Sequence, residues 1–177
     1  MRLENKDYEK AKQIVADIIY DYDLKYPIDI IDLAEKMGFS VIPYSFYKDL
    51  KNELYKMSYD GFNWFNEKMN TFNIYYNDDI ESNSRINFTI AHEIGHIVLD
   101  CNDNSEESNS LVDFFAAYLL APVILIIDKN MKTVEEIKNF FGISYEAAEN
   151  SLKRANSRLN CGFSYTNYEE YIIMSQK

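Results

Sequence analysis

The strongest constraint on the fold is the stretch of residues 89–99, which holds both histidines of the chain, His92 and His96. They lie four residues apart, about one turn of an α-helix, so their imidazoles project from the same helix face. Most of the flanking residues are apolar, which predicts a largely buried helix. Two imidazoles placed in this way suit two ligand positions of a tetrahedral zinc ion. The stretch therefore predicts a core helix that carries part of a zinc site.

Glu93 directly follows the first histidine. A carboxylate at that position can reach a water at the metal rather than the metal itself, as in the His-Glu-x-x-His motif of zinc-dependent peptidases. The plainer interpretations are a chance match on a core helix or a histidine pair satisfied by hydrogen bonds. Gly95 favours the metal site, because glycine within a helix costs about 1 kcal/mol relative to alanine and is tolerated where another element approaches closely. We predict that His92 and His96 bind Zn²⁺ and that Glu93 is the general base.

A third ligand is needed, because a catalytic zinc usually has three protein ligands and the chain has no further histidine. We predict Asp113, the only charge within an apolar run, where an unpaired buried carboxylate would be costly. It either binds the metal or orients a histidine through the outer ring nitrogen. In the second case the ligand would be one of the alternatives Glu106, Glu107 and Asn109. Cys101 is also near in sequence, but an ordinary half-buried thiol is the plainer interpretation.

Composition argues against several classes of protein. The net charge of −11 disfavours a surface that binds nucleic-acid phosphates. The start of the chain is charged and lacks an apolar core, and there are only two cysteines, so we expect a cytoplasmic protein with free thiols. Residues 111–127 form the most membrane-like run, but Asp113 and Pro122 interrupt it and it is too short to span a bilayer. We therefore expect neither a membrane nor a nucleic-acid partner.

The hydrophobic pattern predicts a mainly helical α+β fold with a small β-sheet next to the histidine helix. The pattern predicts helices over residues 8–22, 29–38 and, weakly, 46–59, a strand over 39–44, and a hairpin made of 60–66 and 71–76. The histidine helix should begin near Ser82 or Ser84, and an apolar helix should follow over 111–122. Helix-capping patterns at Thr133, Ser144 and Thr166 predict three more helices. We expect one domain over residues 1–177, in which the helical part 133–177 is a candidate substrate-binding subregion.

Several segments together resemble the ImmA/IrrE family of metallo-endopeptidases, over about residues 26–158. The resemblance is carried mainly by residues 85–96 and by 115–122, which read Phe-Ala-Ala-Tyr-Leu-Leu-Ala-Pro. It extends to residues 27–30, to Ala34 and 38–39, to 74–77 and to 142–148.

The resemblance implies a zincin-like fold in which His92 and His96 bind zinc and Glu93 is the general base. Members act in bacteria, phages and mobile elements, often beside a helix-turn-helix repressor that they cleave to derepress genes. The implied function is a zinc endopeptidase that cleaves such a repressor of a phage, mobile element or stress regulon. Catalysis would also need an oxyanion donor, for which Tyr118 is a candidate among fifteen tyrosines.

This chain departs from the family pattern at Asn109 and Leu111, where members usually carry glutamates, and at Asp100, where many have a histidine. These departures support an alternative function: a catalytically weak or inactive module that binds a repressor or another partner without cleaving it. A second alternative is a DNA-binding regulator, because residues 134–148 scan like a helix-turn-helix. Glu146 and Glu149 occupy the turns that would meet base edges, which argues against DNA binding.

Overall fold

The computed structural model describes residues 3–101, 103, 105–162 and 164–177. Its elements are, in chain order, α1 (Asn5–Asp21), α2 (Ile30–Lys36), β1 (Ser40–Pro43), a short 3-10 helix (Tyr44–Phe46), α3 (Lys51–Met57), β2 (Gly61–Asn66), β3 (Thr71–Tyr76), α4 (Asn83–Val98), α5 (Glu106–Leu120), α6 (Val123–Asp128), α7 (Val134–Phe141), α8 (Tyr145–Asn160) and α9 (Asn167–Ser175). This confirms the predicted mainly helical α+β fold. The contacts divide the chain into two compact units: a sheet unit, Asp29–Ala116, and a helical unit, Met1–Ile28 with Ala117–Lys177.

Local capping interactions set where many of the helices begin. The side chains of Asp29, Ser82 and Ser144 each accept a hydrogen bond from the backbone amide three residues later. Thr133 and Glu136 form the predicted capping box at the start of α7, and the predicted box at the start of α9 is also present. These contacts satisfy amides that have no partner within the helix. The helix starts predicted from capping residues are therefore confirmed, whereas α1 begins at Asn5 rather than at residue 8 and α5 at Glu106 rather than at residue 111.

The sheet has the strand order β1-β3-β2. β2 and β3 form the predicted antiparallel hairpin, and β1 pairs with β3 in parallel. β3 is consequently the central strand, and among the described residues no strand pairs with the other edge of β2, which we call its free edge. Asn63 on β2 lies opposite Ile74 on β3, so their side chains share one face of the sheet. Ile74 is fully buried, which identifies that face as the inner one.

Helix α4 packs on the sheet and on α2 within the sheet unit. Ile90, Ala91 and Ile94 on α4 are completely buried, as is Ile74 on β3. Their burial follows the apolar side of the histidine helix that the sequence predicts. At roughly 1.5–3 kcal/mol for each large aliphatic side chain removed from water, this burial contributes strongly to holding α4 against the sheet.

The helical unit contains α1 and α6–α9, together with the end of α5. α1 packs on α9, and α8 packs on both α6 and α7. Its core is aliphatic, with residues from four of these helices fully buried: Val15, Ile19, Ile124, Leu125, Ile137 and Ile172. This unit includes residues 133–177, the predicted substrate-binding subregion.

The apolar run over 111–127 forms the predicted helix, α5, with a break before Pro122, and then a second short helix, α6, which the sequence analysis does not predict. Over Glu106–Asp128 the described chain is long and apolar enough to cross a membrane by length and composition. However, 61% of its most apolar window is buried inside the protein. Burial of that extent is typical of a core helix, which passes the same test of length and composition.

Candidate metal centre

The histidine helix is brought close to α5 at Gly95. A β-carbon at Gly95 would lie 2.9 Å from Phe115 Cδ1 and 3.0 Å from Val112 Cγ1. Both of those side chains are fully buried, so only a residue without a side chain fits there without displacing them. The prediction that Gly95 permits a close approach is thus confirmed, and the element that approaches is α5. This contact brings α5, which carries Asp113, against α4.

The two imidazoles converge on one point. His92 Nε2 and His96 Nε2 are 3.1 Å apart, and the ring centroids are separated by 4.8 Å. Both side chains are only partly buried, so an ion from solvent can reach them. The predicted placement on one helix face is confirmed.

The outer nitrogens of both rings are engaged by the protein. His92 Nδ1 lies 2.8 Å from Asp113 Oδ1, and His96 Nδ1 lies 2.7 Å from the carbonyl oxygen of Cys101. A carboxylate and a carbonyl only accept hydrogen bonds, so each Nδ1 carries the hydrogen. In the neutral imidazole this leaves the lone pair on Nε2, which is the tautomer that a metal ligand needs.

The observed geometry fits a bound zinc ion. Zn–N distances of about 2.0–2.1 Å and tetrahedral angles place two nitrogen ligands about 3.3 Å apart, close to the 3.1 Å between the two Nε2 atoms. The donor type also fits, since neutral imidazoles with oriented outer nitrogens are typical zinc ligands. His92 and His96 can therefore hold zinc through Nε2 with little rearrangement.

Asp113 contacts His92 rather than standing apart from it. This is the contact expected of a residue that orients a ligand. The carboxylate is 56% exposed, so the premise that burial forces it to find a partner is wrong. Asp113 lies on the polar side of an otherwise apolar helix.

The remaining candidates for the third ligand occupy the first turns of α5. Glu106 and Glu107 are exposed, and Asn109 is half-buried. Asn109 precedes Asp113 by four residues, which places both on the side of α5 that faces the histidines. Among the described residues, no group of three or more His, Cys, Asp or Glu side chains is arranged to hold a metal. The third ligand stays a prediction.

Glu93 is held by a residue that the sequence does not single out. Its side chain is 7% exposed, and its Oε2 accepts a hydrogen bond of 2.7 Å from Asn63 Nδ2 on β2. Tyr44 lies in the same unit, and burial, with a further contribution from the charge of Glu93, raises the pKa of Tyr44 to about 12. Asn63 is 30 residues from Glu93 in sequence. Its contact with Glu93 therefore depends on how the strands pair and cannot be seen in the local sequence.

Tyr118, the candidate oxyanion donor, lies in the helical unit. It is 3% exposed, and burial raises the pKa of its hydroxyl, with a smaller contribution from the charge of Glu169. Glu169, Tyr168, Arg158 and Glu9, the neighbours that act on this pKa, all belong to the same unit. The role of Tyr118 in catalysis stays a prediction.

Comparison with protein families matches residues 46–153, more than half of the chain, to Peptidase_M78, the IrrE N-terminal-like domain. A comparison with curated protein sequences found no match. The matched segment contains the sheet from β2 onward, α4 with both histidines, and α5. The family is one of metallopeptidases, and the converging histidines beside a buried glutamate are consistent with that chemistry. The chain therefore belongs to the IrrE N-terminal-like family of metallopeptidases.

Proposed function

We propose that this protein is a zinc-dependent endopeptidase that cleaves a regulatory protein. The observation that carries the proposal is the histidine pair, whose Nε2 atoms converge to 3.1 Å while both Nδ1 atoms are held by other groups. In neutral imidazoles whose Nδ1 atoms donate, both Nε2 lone pairs face one point, and a shared metal ion would satisfy both at once. Zinc bound there supplies Lewis-acid chemistry, polarising a carbonyl and making a nearby water more acidic.

The residues of the chain have distinct roles in this proposal. His92 and His96 hold the metal, and Asp113 and the Cys101 carbonyl orient them. Glu93 accepts a proton from the attacking water and transfers it to the leaving amine. Such a transfer requires a carboxylate in a fixed position beside the ligands, and Glu93 is both buried and hydrogen-bonded.

The free edge of β2 supports a peptide as the substrate. An extended chain can add to such an edge through backbone hydrogen bonds. Asn63, in the middle of this strand, touches the catalytic carboxylate. A peptide on this edge would run past Glu93, where cleavage takes place.

We propose a helix-turn-helix repressor of a phage, mobile element or stress regulon as the substrate, acting in the cytoplasm. The support is the resemblance to ImmA/IrrE proteins. Direct binding to DNA is disfavoured by the net charge of −11. In addition, two basic residues of α8 are engaged within the protein: Lys153 pairs with Glu149 and Arg158 pairs with Glu169.

The test is to incubate the protein, loaded with zinc, with the repressor encoded by the adjacent reading frame. Wild type should cleave it at a defined bond, and Glu93→Gln should lose at least about 100-fold in rate, as expected for a missing general base. Glu35→Gln, an exposed change on α2, is the matched control and should cleave normally. Equal cleavage by wild type and Glu93→Gln would reject Glu93 as the base.

The second candidate function is a module that binds the repressor without cutting it. It is favoured by Asn109, a neutral residue on the side of α5 that faces the histidines. Elemental analysis after purification with zinc separates the two functions. Less than about one-tenth of an equivalent of bound metal, together with binding of the repressor, would favour the module over the peptidase.

A further inference from the structure

The side-chain amide of Asn63 is the group that meets the buried carboxylate of Glu93. Asn63 Nδ2 lies 2.7 Å from Glu93 Oε2. A carboxylate only accepts hydrogen bonds, so the amide NH₂ of Asn63 must be the donor. Hydrogen bonds to an ionised acceptor are shorter and stronger than neutral ones. The contact fixes one of the two oxygens of Glu93.

The position of Asn63 is set by a close approach of β2 to α4. At Gly61, two residues earlier and on the same face of the strand, a β-carbon would lie 2.6 Å from Thr89 Cγ2. Only glycine permits this separation without displacing Thr89. Because the strand comes so near to α4, the short side chain of Asn63 can reach Glu93. On its other side the strand is fixed by pairing with the buried Ile74.

We propose that Asn63 is a positioning residue for the general base. It holds Oε2 of Glu93 and thereby leaves Oε1 as the oxygen that receives the proton of the attacking water. Asn63 also lies in the middle of the strand whose free edge would bind the peptide, so a single residue sets the position of the base relative to the bound substrate. This inference rests on the proposed peptidase function and adds a residue to it.

Kinetics of two variants test the role. Asn63→Ala removes the donor, and Asn63→Leu keeps a similar side-chain volume but can neither donate a hydrogen bond to Glu93 nor place a charge beside it. We expect both to lower kcat by about 10–100-fold, because displacement of a reacting group by about 1 Å can cost that much. KM should change little. If Asn63 only filled space, Asn63→Leu would retain kcat, and that result would overturn the proposal.

Asn73→Ala is the matched control. Asn73 lies on the central strand β3, is more deeply buried than Asn63, and donates to the Tyr75 hydroxyl. It lies opposite Trp64, so its side chain is on the other face of the sheet from Asn63. This variant should lose stability but keep its kcat. An equal loss of kcat in Asn73→Ala and Asn63→Ala would mean that the sheet in general, and not Asn63, supports catalysis.

A readout that needs no activity is the NMR signal of the Asn63 side-chain amide. Glu93→Gln should shift this signal, and Glu146→Gln should leave it unchanged. No shift with Glu93→Gln would overturn the proposal whether or not the repressor is cleaved. If the signal shifts but the zinc-loaded wild type cleaves nothing, the proposed peptidase function is contradicted, whereas the hydrogen bond from Asn63 to Glu93 is supported. The two failures are therefore distinguishable.

Discussion

At the scale of single residues, each histidine uses one ring nitrogen for the proposed metal and the other for the protein. The contact of His92 with Asp113 spans two helices, whereas that of His96 with the Cys101 carbonyl closes just after α4 ends. Only the first partner is a side chain, so only it can be removed by substitution without altering the backbone.

We predict that Asp113→Asn weakens zinc binding by about 10–100-fold, the usual effect of removing a group that orients a metal ligand. The amide can still fill the space but no longer places a negative charge against His92. Competition with a chromophoric chelator measures the affinity. Asp128→Asn, at the exposed end of α6, is the control and should bind zinc as wild type does. Affinity that is unchanged in Asp113→Asn would contradict an orienting role and also a ligand role.

Gly95 is the residue at which helix propensity and packing oppose each other. Alanine would favour the helix by about 1 kcal/mol, but its β-carbon would crowd Phe115 and Val112. Overpacking of this kind costs about 1–3 kcal/mol. Because both neighbours are fully buried, we predict that packing prevails and that Gly95→Ala lowers the free energy of unfolding by about 1 kcal/mol.

Urea denaturation measures this change. In a double-mutant cycle with Val112→Ala, the two changes should together cost less than the sum of the single costs, because the smaller side chain makes room for the new methyl group. Strict additivity, or a gain in stability from Gly95→Ala alone, would contradict the prediction. It would show that α4 and α5 can move apart without a loss of stability.

At the scale of elements, α8 and α9 are joined by an ion pair inside the helical unit. Glu169 is completely buried and accepts hydrogen bonds from the Arg158 guanidinium, 2.7 Å from Nη2 to Oε2. Its Oε2 also accepts from the Thr166 amide. Burial alone would raise the pKa of Glu169, but these hydrogen bonds and the charge of Arg158 outweigh it and hold the pKa below the ordinary value of 4.5.

We predict that Glu169→Gln lowers the free energy of unfolding at pH 7 by about 2–3 kcal/mol, less than for a fully buried pair because Arg158 is 23% exposed. A depressed pKa stabilises the fold above the unfolded-state pKa, and this stabilisation is lost as pH falls through the folded-state pKa. Wild type should therefore lose stability as pH falls below about 4.5, and Glu169→Gln should lose less. The urea concentration at the unfolding midpoint, measured for both proteins across this pH range, tests the prediction. An equal loss of stability with falling pH in wild type and Glu169→Gln would contradict it.

The elements also show which parts of the fold can be predicted from the sequence. Helix starts at Asp29, Ser82 and Ser144 depend on neighbours three residues away, so the local pattern suffices. The parallel pairing of β1 with β3 leaves no comparable local signal, and neither does the contact between Asn63 and Glu93. Both depend on strands that meet through long-range packing.

The residues of the site also differ in whether the local sequence predicts them. His92 and His96 lie within one helix, and their spacing alone predicts the convergence of their imidazoles. Asp113 could be named because a charge is conspicuous in an apolar run, but its exposure depends on which side of α5 faces solvent. The Cys101 contact could not be predicted, because the group involved is a backbone carbonyl, which every residue has.

At the scale of the whole molecule, we expect the fold not to depend on the metal. The helix that carries the histidines is fixed by fully buried aliphatic residues, and the imidazoles are oriented by the protein itself. We predict that chelation leaves the helical circular-dichroism signal unchanged. A chelated protein that loses its helical signal would contradict this.

Zinc should nevertheless raise the Tm. At a free concentration 100 times Kd, ligand binding adds about 2.7 kcal/mol, which for a chain of this size corresponds to about 5–10 °C. Differential scanning calorimetry of the wild type with and without zinc measures the shift. Zinc should not change the Tm of His92→Ala. A rise as large as that of wild type would mean that the zinc is bound elsewhere.

The free edge of β2 has a further consequence for how the protein behaves in solution. Trp64 is 61% exposed and Phe65 43% exposed on this strand, and an apolar strand edge without a partner is prone to pair with another molecule of the same protein. Self-association and substrate binding would then compete for one set of backbone groups. The isolated protein should self-associate more as its concentration rises. A bound peptide should reduce this self-association by occupying that edge.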